Sequence, residues 1–230
     1  MKQINAQGVV LTRTDYGEAD RIITFLTPLN GKVRVMAKGV RRQKSKLAGG
    51  IELFSISDIT YVVGRSELHT LVSSRLVTHF GNIVKDLDRT MFGYEMLKIL
   101  NRVLEDEGGE EYYELLVSHL QVLDDLSSPK DLSETSFLLH LMRLLGHLPN
   151  LTHDARDGQL PNEGNFQFSI DDMAFFASPA GPFTQNHIKL MRLISHNPPD
   201  ALLKIAHLSE YLQDLAPLVR QISYQYVVTY

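Results

Sequence analysis

Residues 8–37, GVVLTRTDYGEADRIITFLTPLNGKVRVMA, decide the fold. Three short runs lie within them, Gly8 to Arg13, Arg21 to Thr27 and Lys32 to Ala37, rich in Val, Ile, Thr and Phe and separated by turn-forming residues. That is the pattern of β-strands joined by tight connections. Pro28-Leu29-Asn30-Gly31 supplies a turn with a residue tolerant of positive φ. In the third run Lys32 and Arg34 alternate with Val33 and Val35, so the cations take one face of the sheet and the valines the other. Two further runs, Asp58 to Val63 and Glu67 to Val77, are joined by Gly64-Arg65-Ser66, which suits a short hairpin. Five antiparallel strands of uneven length in about 75 residues predict a small barrel rather than a sandwich.

The charge changes where the strands stop. The chain has 230 residues, with 23 Lys and Arg against 27 Asp and Glu, a net −4. Residues 1–80 hold 12 of the cations and 6 of the acids, a net +6, and residues 81–230 hold the other 11 and 21, a net −10. Such a split predicts two modules with different partners. There is no cysteine, which excludes thiol nucleophiles, disulfide scaffolds and thiolate zinc sites and fits a reducing compartment. No apolar run approaches the roughly 20 residues that span a bilayer, and the opening MKQINAQGVV lacks an apolar signal core. A soluble cytoplasmic protein with no membrane partner is expected.

Beyond about residue 81 the hydrophobic period becomes helical. Met96, Ile99, Leu100 and Val103 share one face, Tyr112, Leu116, Leu120 and Leu123 another, and Leu138, Leu141, Met142 and Leu145 a third. Glu105 to Glu111 reads as an acidic, Gly-containing loop; Ser127-Ser128-Pro129 precedes a helix capped at Ser133, which Pro149 ends. From Asn150 to Phe183 the chain is irregular, an excursion of about 34 residues that is long for a compact domain. Helical spacing resumes near His187 and again at Leu202, Ile205, Leu208 and Leu212. The division predicted is residues 1–80, a barrel, and 81–230, mostly helical with an insertion at 150–186.

Seven cations, Lys32, Arg34, Lys38, Arg41, Arg42, Lys44 and Lys46, lie between Lys32 and Lys46 with no acid among them. Each cation that neutralises a phosphate releases a condensed counterion, so this run is suited to a polyanion. Arg13 and Tyr16 complete the predicted nucleic-acid contacts. Of the aromatic residues on this module, Phe25 and Phe54 sit at strand positions where core is the usual fate, whereas Tyr16 and Tyr61 suit either core or base stacking. Two other readings stay open: an adaptor whose basic strand meets RNA or an acidic protein, and a magnesium nuclease built on Asp15, Glu18 and Asp20. The second satisfies little of an active site, having no partner base or nucleophile. No Walker A lysine, Gly-x-Ser-x-Gly or His-Glu-x-x-His occurs, and His140 and His147 are seven residues apart where a helical metal pair needs four. A non-enzymatic protein is expected. The acidic helical half repels phosphate and is expected to serve as support and for protein docking.

The run Val10 to Arg21, VLTRTDYGEADR, resembles the amino-terminal signature of the RecO recombination mediator family, as do Phe25-Leu26-Thr27-Pro28, Gly31-Lys32, Ala37 to Arg42, Ser45-Lys46-Leu47 and Leu53-Phe54. The likeness is specific over residues 8–55, and Leu144 to Leu151, LLGHLPNL, is similar to the family's approach to a zinc-finger-like insertion. The resemblance implies an α+β chain: an OB-fold that binds single- and double-stranded DNA, then a helical carboxy-terminal domain. It also implies annealing of complementary strands and loading of the recombinase on DNA coated with single-stranded DNA-binding protein. These belong to recombinational repair of DNA damage and double-strand breaks at the nucleoid. The partners implied are RecR and the acidic tail of the single-stranded DNA-binding protein, though no residue of the helical half assigns either contact. Zinc-binding members carry two CxxC pairs in the insertion; the matching positions here are Asp154 and Asp157, then Thr184 and His187. Two carboxylates, a hydroxyl and an imidazole suit tetrahedral zinc poorly, so no metal and no cofactor are expected.

Overall fold

The computed structural model describes residues 2–104, 109–156 and 158–228. These form two compact units dividing between Leu126 and Ser127. The first begins with β1 (Gln3–Tyr16), β2 (Asp20–Thr27), β3 (Gly31–Ala37), β4 (Ser55–Val62) and β5 (Leu68–His79). Each strand has two partners, and the order β1-β2-β3-β5-β4 closes back on β1. Four pairings are antiparallel. The fifth, Arg34 to Met36 of β3 beside Leu68 to Thr70 of β5, is parallel, a departure from the all-antiparallel reading of the sequence. The observed class is the expected one, a five-stranded OB-like barrel followed by helices.

β1 serves two neighbours. Gln3 to Val9 pairs with β4 and Val9 to Tyr16 with β2, and the register shifts between Val10 and Thr12. An irregularity of this kind bends a strand and increases its twist, which is what a small closed sheet needs. The interior is filled by Val10, Ile23, Phe25, Val33, Val35, Ile59, Tyr61 and Leu71, with Val40 and Ile51 added from the segment after β3. The turn between β2 and β3 has Gly31 at φ 56°, the left-handed conformation that its lack of a Cβ permits.

β2 is buried on both faces, Thr24, Leu26 and Thr27 included. Helices α1 (Leu87–Val103) and α2 (Glu110–Asp124) pack on the β1 and β2 side. Asp86 caps α1 by accepting the Arg89 amide at 3.0 Å, and Asp124 accepts the amides of Asn82 and Ile83 at 2.7 and 3.1 Å. Gly93 lets α1 approach Phe54: a Cβ there would lie 2.7 Å from the ring. The first unit therefore extends to Leu126, beyond the change from strand to helix near residue 80. Of the predicted acidic loop, Glu105 to Gly108 lie outside the described residues, and α2 begins at Glu110.

The second unit contains α3 (Lys130–Leu144), β6 (Asn165–Ser169), β7 (Ala174–Ala177), β8 (Phe183–Thr184), α4 (Gln185–His196), α5 (Pro199–Leu202) and α6 (Leu208–Ser223). α3 packs against α4 and α6, and Arg220 grips Glu134 with two hydrogen bonds of 2.6 Å. Ser133 is not the α3 cap: it is buried one turn inside a helix that starts directly after Pro129. Nor does Pro149 end α3. The helix stops at Leu144, and Gly146 at φ 76° turns the chain away.

The segment expected to be irregular holds a three-stranded sheet of order β7-β6-β8. Its interior is aromatic: Phe166 and Phe175 are fully buried, and Phe175 meets Phe168 and Phe183 edge-on with centroids 4.9 and 5.5 Å apart.

Candidate nucleic-acid interface

The basic run divides into a strand and an arm. On β3, Val33 and Val35 are buried, Arg34 is exposed and Lys32 half-buried, so the predicted alternation holds. Lys32 Nζ, however, donates to the Asn101 carbonyl in the last turn of α1 at 3.2 Å. A cation at a helix carboxyl end satisfies free carbonyls and complements the dipole. Lys38 to Lys46 form the arm. Val40 and Leu47 anchor it in the barrel core, and Lys38, Arg41, Arg42, Lys44 and Lys46 are exposed between and beside those anchors.

The base of the arm is bonded to the turn between β1 and β2. Asp20 accepts the Gly39 amide at 2.7 Å, the Arg41 amide donates to the Ala19 carbonyl at 2.9 Å, and the Arg41 guanidinium lies 3.5 Å from both the Gly17 carbonyl and Asp15. Arg21 donates to Asp15 at 2.7 Å. That bond, reinforced by the charges of Arg41 and Arg13, holds the Asp15 carboxyl below its ordinary value. Two of the three acids read as a magnesium-binding candidate are thus differently occupied: Asp15 faces two guanidiniums and Asp20 caps a loop, while Glu18 is exposed in the turn between β1 and β2. Among the described residues no group of three or more His, Cys, Asp or Glu could hold a metal ion.

Arg13 is paired with Glu52 at 2.5 Å. Tyr61 is core, 1 % exposed and stacked on His69 with centroids 5.3 Å apart, and burial raises its hydroxyl pKa. Phe25 and Phe54 are buried too, whereas Tyr16 is 55 % exposed at the end of β1.

A model of the amino-terminal region of recombination protein O matches residues 1–80, and one of its carboxy-terminal region matches residues 84–228. The chain belongs to the RecO family. It is 32% identical over 200 residues to the DNA repair protein RecO of Roseiflexus sp. (strain RS-1), covering 84% of this chain and 70% of the relative. It is 27% identical over 221 residues to the DNA repair protein RecO of Dehalococcoides mccartyi, covering 93% and 87%. To the DNA repair protein RecO of Streptomyces griseus it is 35% identical over 178 residues, covering 74% and 71%.

In this RecO-family chain, three of the four positions weighed above as zinc ligands, Asp154, Thr184 and His187, hold other bonds. Asp154 accepts the amides of Arg156 and Ala177 at 2.8 and 2.9 Å, tying the loop to the end of β7. Asp157 lies outside the described residues. The Thr184 amide donates to His187 Nδ1 at 3.0 Å, which leaves Nε2 to donate to Asp214 at 3.2 Å. The same ring is edge-on to Tyr211 and Phe183, so His187 extends the aromatic interior. His140 is buried on α3, and burial lowers its pKa. No helix of the described residues is long and apolar enough to cross a membrane.

Sequence reasoning missed the parts that depend on distant partners. Arg13 meets an acid 39 residues on, and Lys32 a carbonyl 69 residues on. Val40 and Leu47 had no periodic pattern to mark them as anchors.

Proposed function

We propose that the protein is a non-enzymatic recombination mediator that binds single- and double-stranded DNA through the arm at Lys38 to Lys46 and anneals complementary strands. What carries the reading is the arm itself: Lys38, Arg41, Arg42, Lys44 and Lys46 are exposed on one loop, and among the described residues only Arg41 has an acid within ion-pair distance. Five cations held this close repel one another until a polyanion screens them. Two phosphate backbones meeting over such a surface would have their mutual repulsion lowered while their bases stayed free to pair. Arg34, on the adjacent strand, widens the basic surface.

The relatives' names as DNA repair proteins support placing this activity in repair. By resemblance, the protein works at the nucleoid in the cytoplasm, helps the recombinase replace single-stranded DNA-binding protein, and engages RecR and that protein's acidic tail. The test is annealing of complementary oligonucleotides already coated with single-stranded DNA-binding protein. The wild type is expected to accelerate annealing, and the variant with all five arm cations changed to Gln to lose both this activity and most of the salt dependence of binding. Retention of wild-type affinity and salt slope by that variant would remove the arm from the interface. Preference for structured RNA over single-stranded DNA would favour an adaptor instead.

A further inference from the structure

Residues 1–80 contain five aromatic side chains, Tyr16, Phe25, Phe54, Tyr61 and Phe80, and four of them are at most 3 % exposed. Only Tyr16 is presented to solvent. Its position is fixed by the bonds around it. Tyr16 pairs with Asp20 across the turn; Gly17, at φ 56°, follows it; and the turn residues Gly17, Ala19 and Asp20 are bonded to Gly39 and Arg41 at the base of the basic arm. Preceding it, Asp15 is held by Arg21. One exposed ring is thereby carried on a braced turn beside a row of cations.

An aromatic face beside phosphate-binding cations is the arrangement that takes an unpaired nucleobase, since every base has a π-face and stacking does not depend on its identity. A duplex offers no such face except at its ends. We propose that Tyr16 is the base-stacking residue of the interface, taking one unpaired base of a single strand whose flanking phosphates lie on the arm. The inference rests on the arm being the DNA-binding surface. It assigns the discrimination between single strands and duplex to this ring and the salt-dependent affinity to the cations.

The chain has no tryptophan, so Tyr16→Trp installs a single indole at the site in question. Binding of Tyr16→Ala, Tyr16→Phe and Tyr16→Trp to an oligothymidylate and to a duplex of equal length tests the assignment. Tyr16→Ala is expected to weaken oligothymidylate binding about tenfold, to alter duplex binding less than twofold, and to leave the salt slope unchanged because no charge is removed. Tyr16→Phe and Tyr16→Trp are expected to retain affinity, and the indole emission to be quenched at saturating oligothymidylate. Wild-type affinity in Tyr16→Ala, an equal loss on both DNAs, or unquenched emission from bound Tyr16→Trp would each overturn the proposal. If the arm reading fails instead, the five-cation variant binds as the wild type does, an outcome independent of Tyr16.

Discussion

The carboxylate of Asp20 accepts the backbone amide of Gly39 at 2.7 Å, fastening the turn between the first two strands to the root of the basic arm. An acid in a cationic surface costs affinity for a polyanion, so its presence there has a structural use: it fixes where the arm leaves the barrel.

Asp20 therefore gives a prediction opposite in sign to simple electrostatics. Removing its charge should strengthen DNA binding if only long-range attraction matters. With the bond to Gly39 gone, Asp20→Ala is expected to weaken binding about three- to tenfold, the loss of one hydrogen bond of about 1 kcal/mol. Asp20→Asn keeps an acceptor and is expected to match or exceed the wild type. Fluorescence anisotropy with a labelled oligonucleotide at fixed salt distinguishes the two; tighter binding by Asp20→Ala would show that the arm needs no clamp.

Lys32 and Lys38 are expected to separate stability from affinity. Lys32 bonds the Asn101 carbonyl, so Lys32→Met should cost about 0.5–1.5 kcal/mol in a denaturant melt and change the salt slope little. Lys38 is exposed, and Lys38→Met should melt as the wild type while the single-strand salt slope falls by about 0.7. The converse pair of results would exchange their roles.

Asp154 secures the insertion through the amides of Arg156 and Ala177. Asp154→Ala leaves both without this acceptor and is expected to lower stability by about 1–2 kcal/mol. Chelator is expected to leave the melting temperature of the wild type unchanged, because the segment is held by these bonds and by Phe166, Phe168, Phe175 and Phe183. A melting temperature that drops on chelation and recovers with zinc would contradict this.

His140 makes stability depend on pH. Burial lowers its pKa from the ordinary value of 6.5, helped by electrostatic repulsion from Arg143 and His196, while the carbonyls of Ile194 and Asn197 act in the opposite sense. Protons thus bind the unfolded chain more readily in this window, and stability is expected to fall as pH drops below about 6.5, levelling once pH passes beneath the lowered folded value. Comparing denaturant midpoints between pH 7.5 and 5 for wild type and His140→Gln checks it: the variant's curve should be flatter.

The barrel strands were legible because alternation and turn residues agree: Val33 and Val35 point inward, and Gly31 turns as its sequence context requires. The fate of single side chains was less legible. Tyr61 and Tyr16 carry the same ring, and burial of one and exposure of the other depends on the closing of β4 on β1 and β5, which no local pattern encodes. In the insertion, Phe166 and Phe168 alternate as strand residues do, but Gly164, Asn165 and the surrounding polar residues masked five residues of sheet. Which cations are engaged within the fold was likewise hidden, since Glu52 and Asn101 lie far along the chain from Arg13 and Lys32.

With β2 covered on both sides, the strands are not a detachable part. A chain terminated at residue 80 would turn Leu26 and Thr24 toward water, both now buried, and would leave Lys32 without the α1 carbonyl it bonds. Such a fragment is expected to aggregate rather than bind. A fragment meant to test the proposed nucleic-acid binding should end after Leu126, where the first compact unit closes.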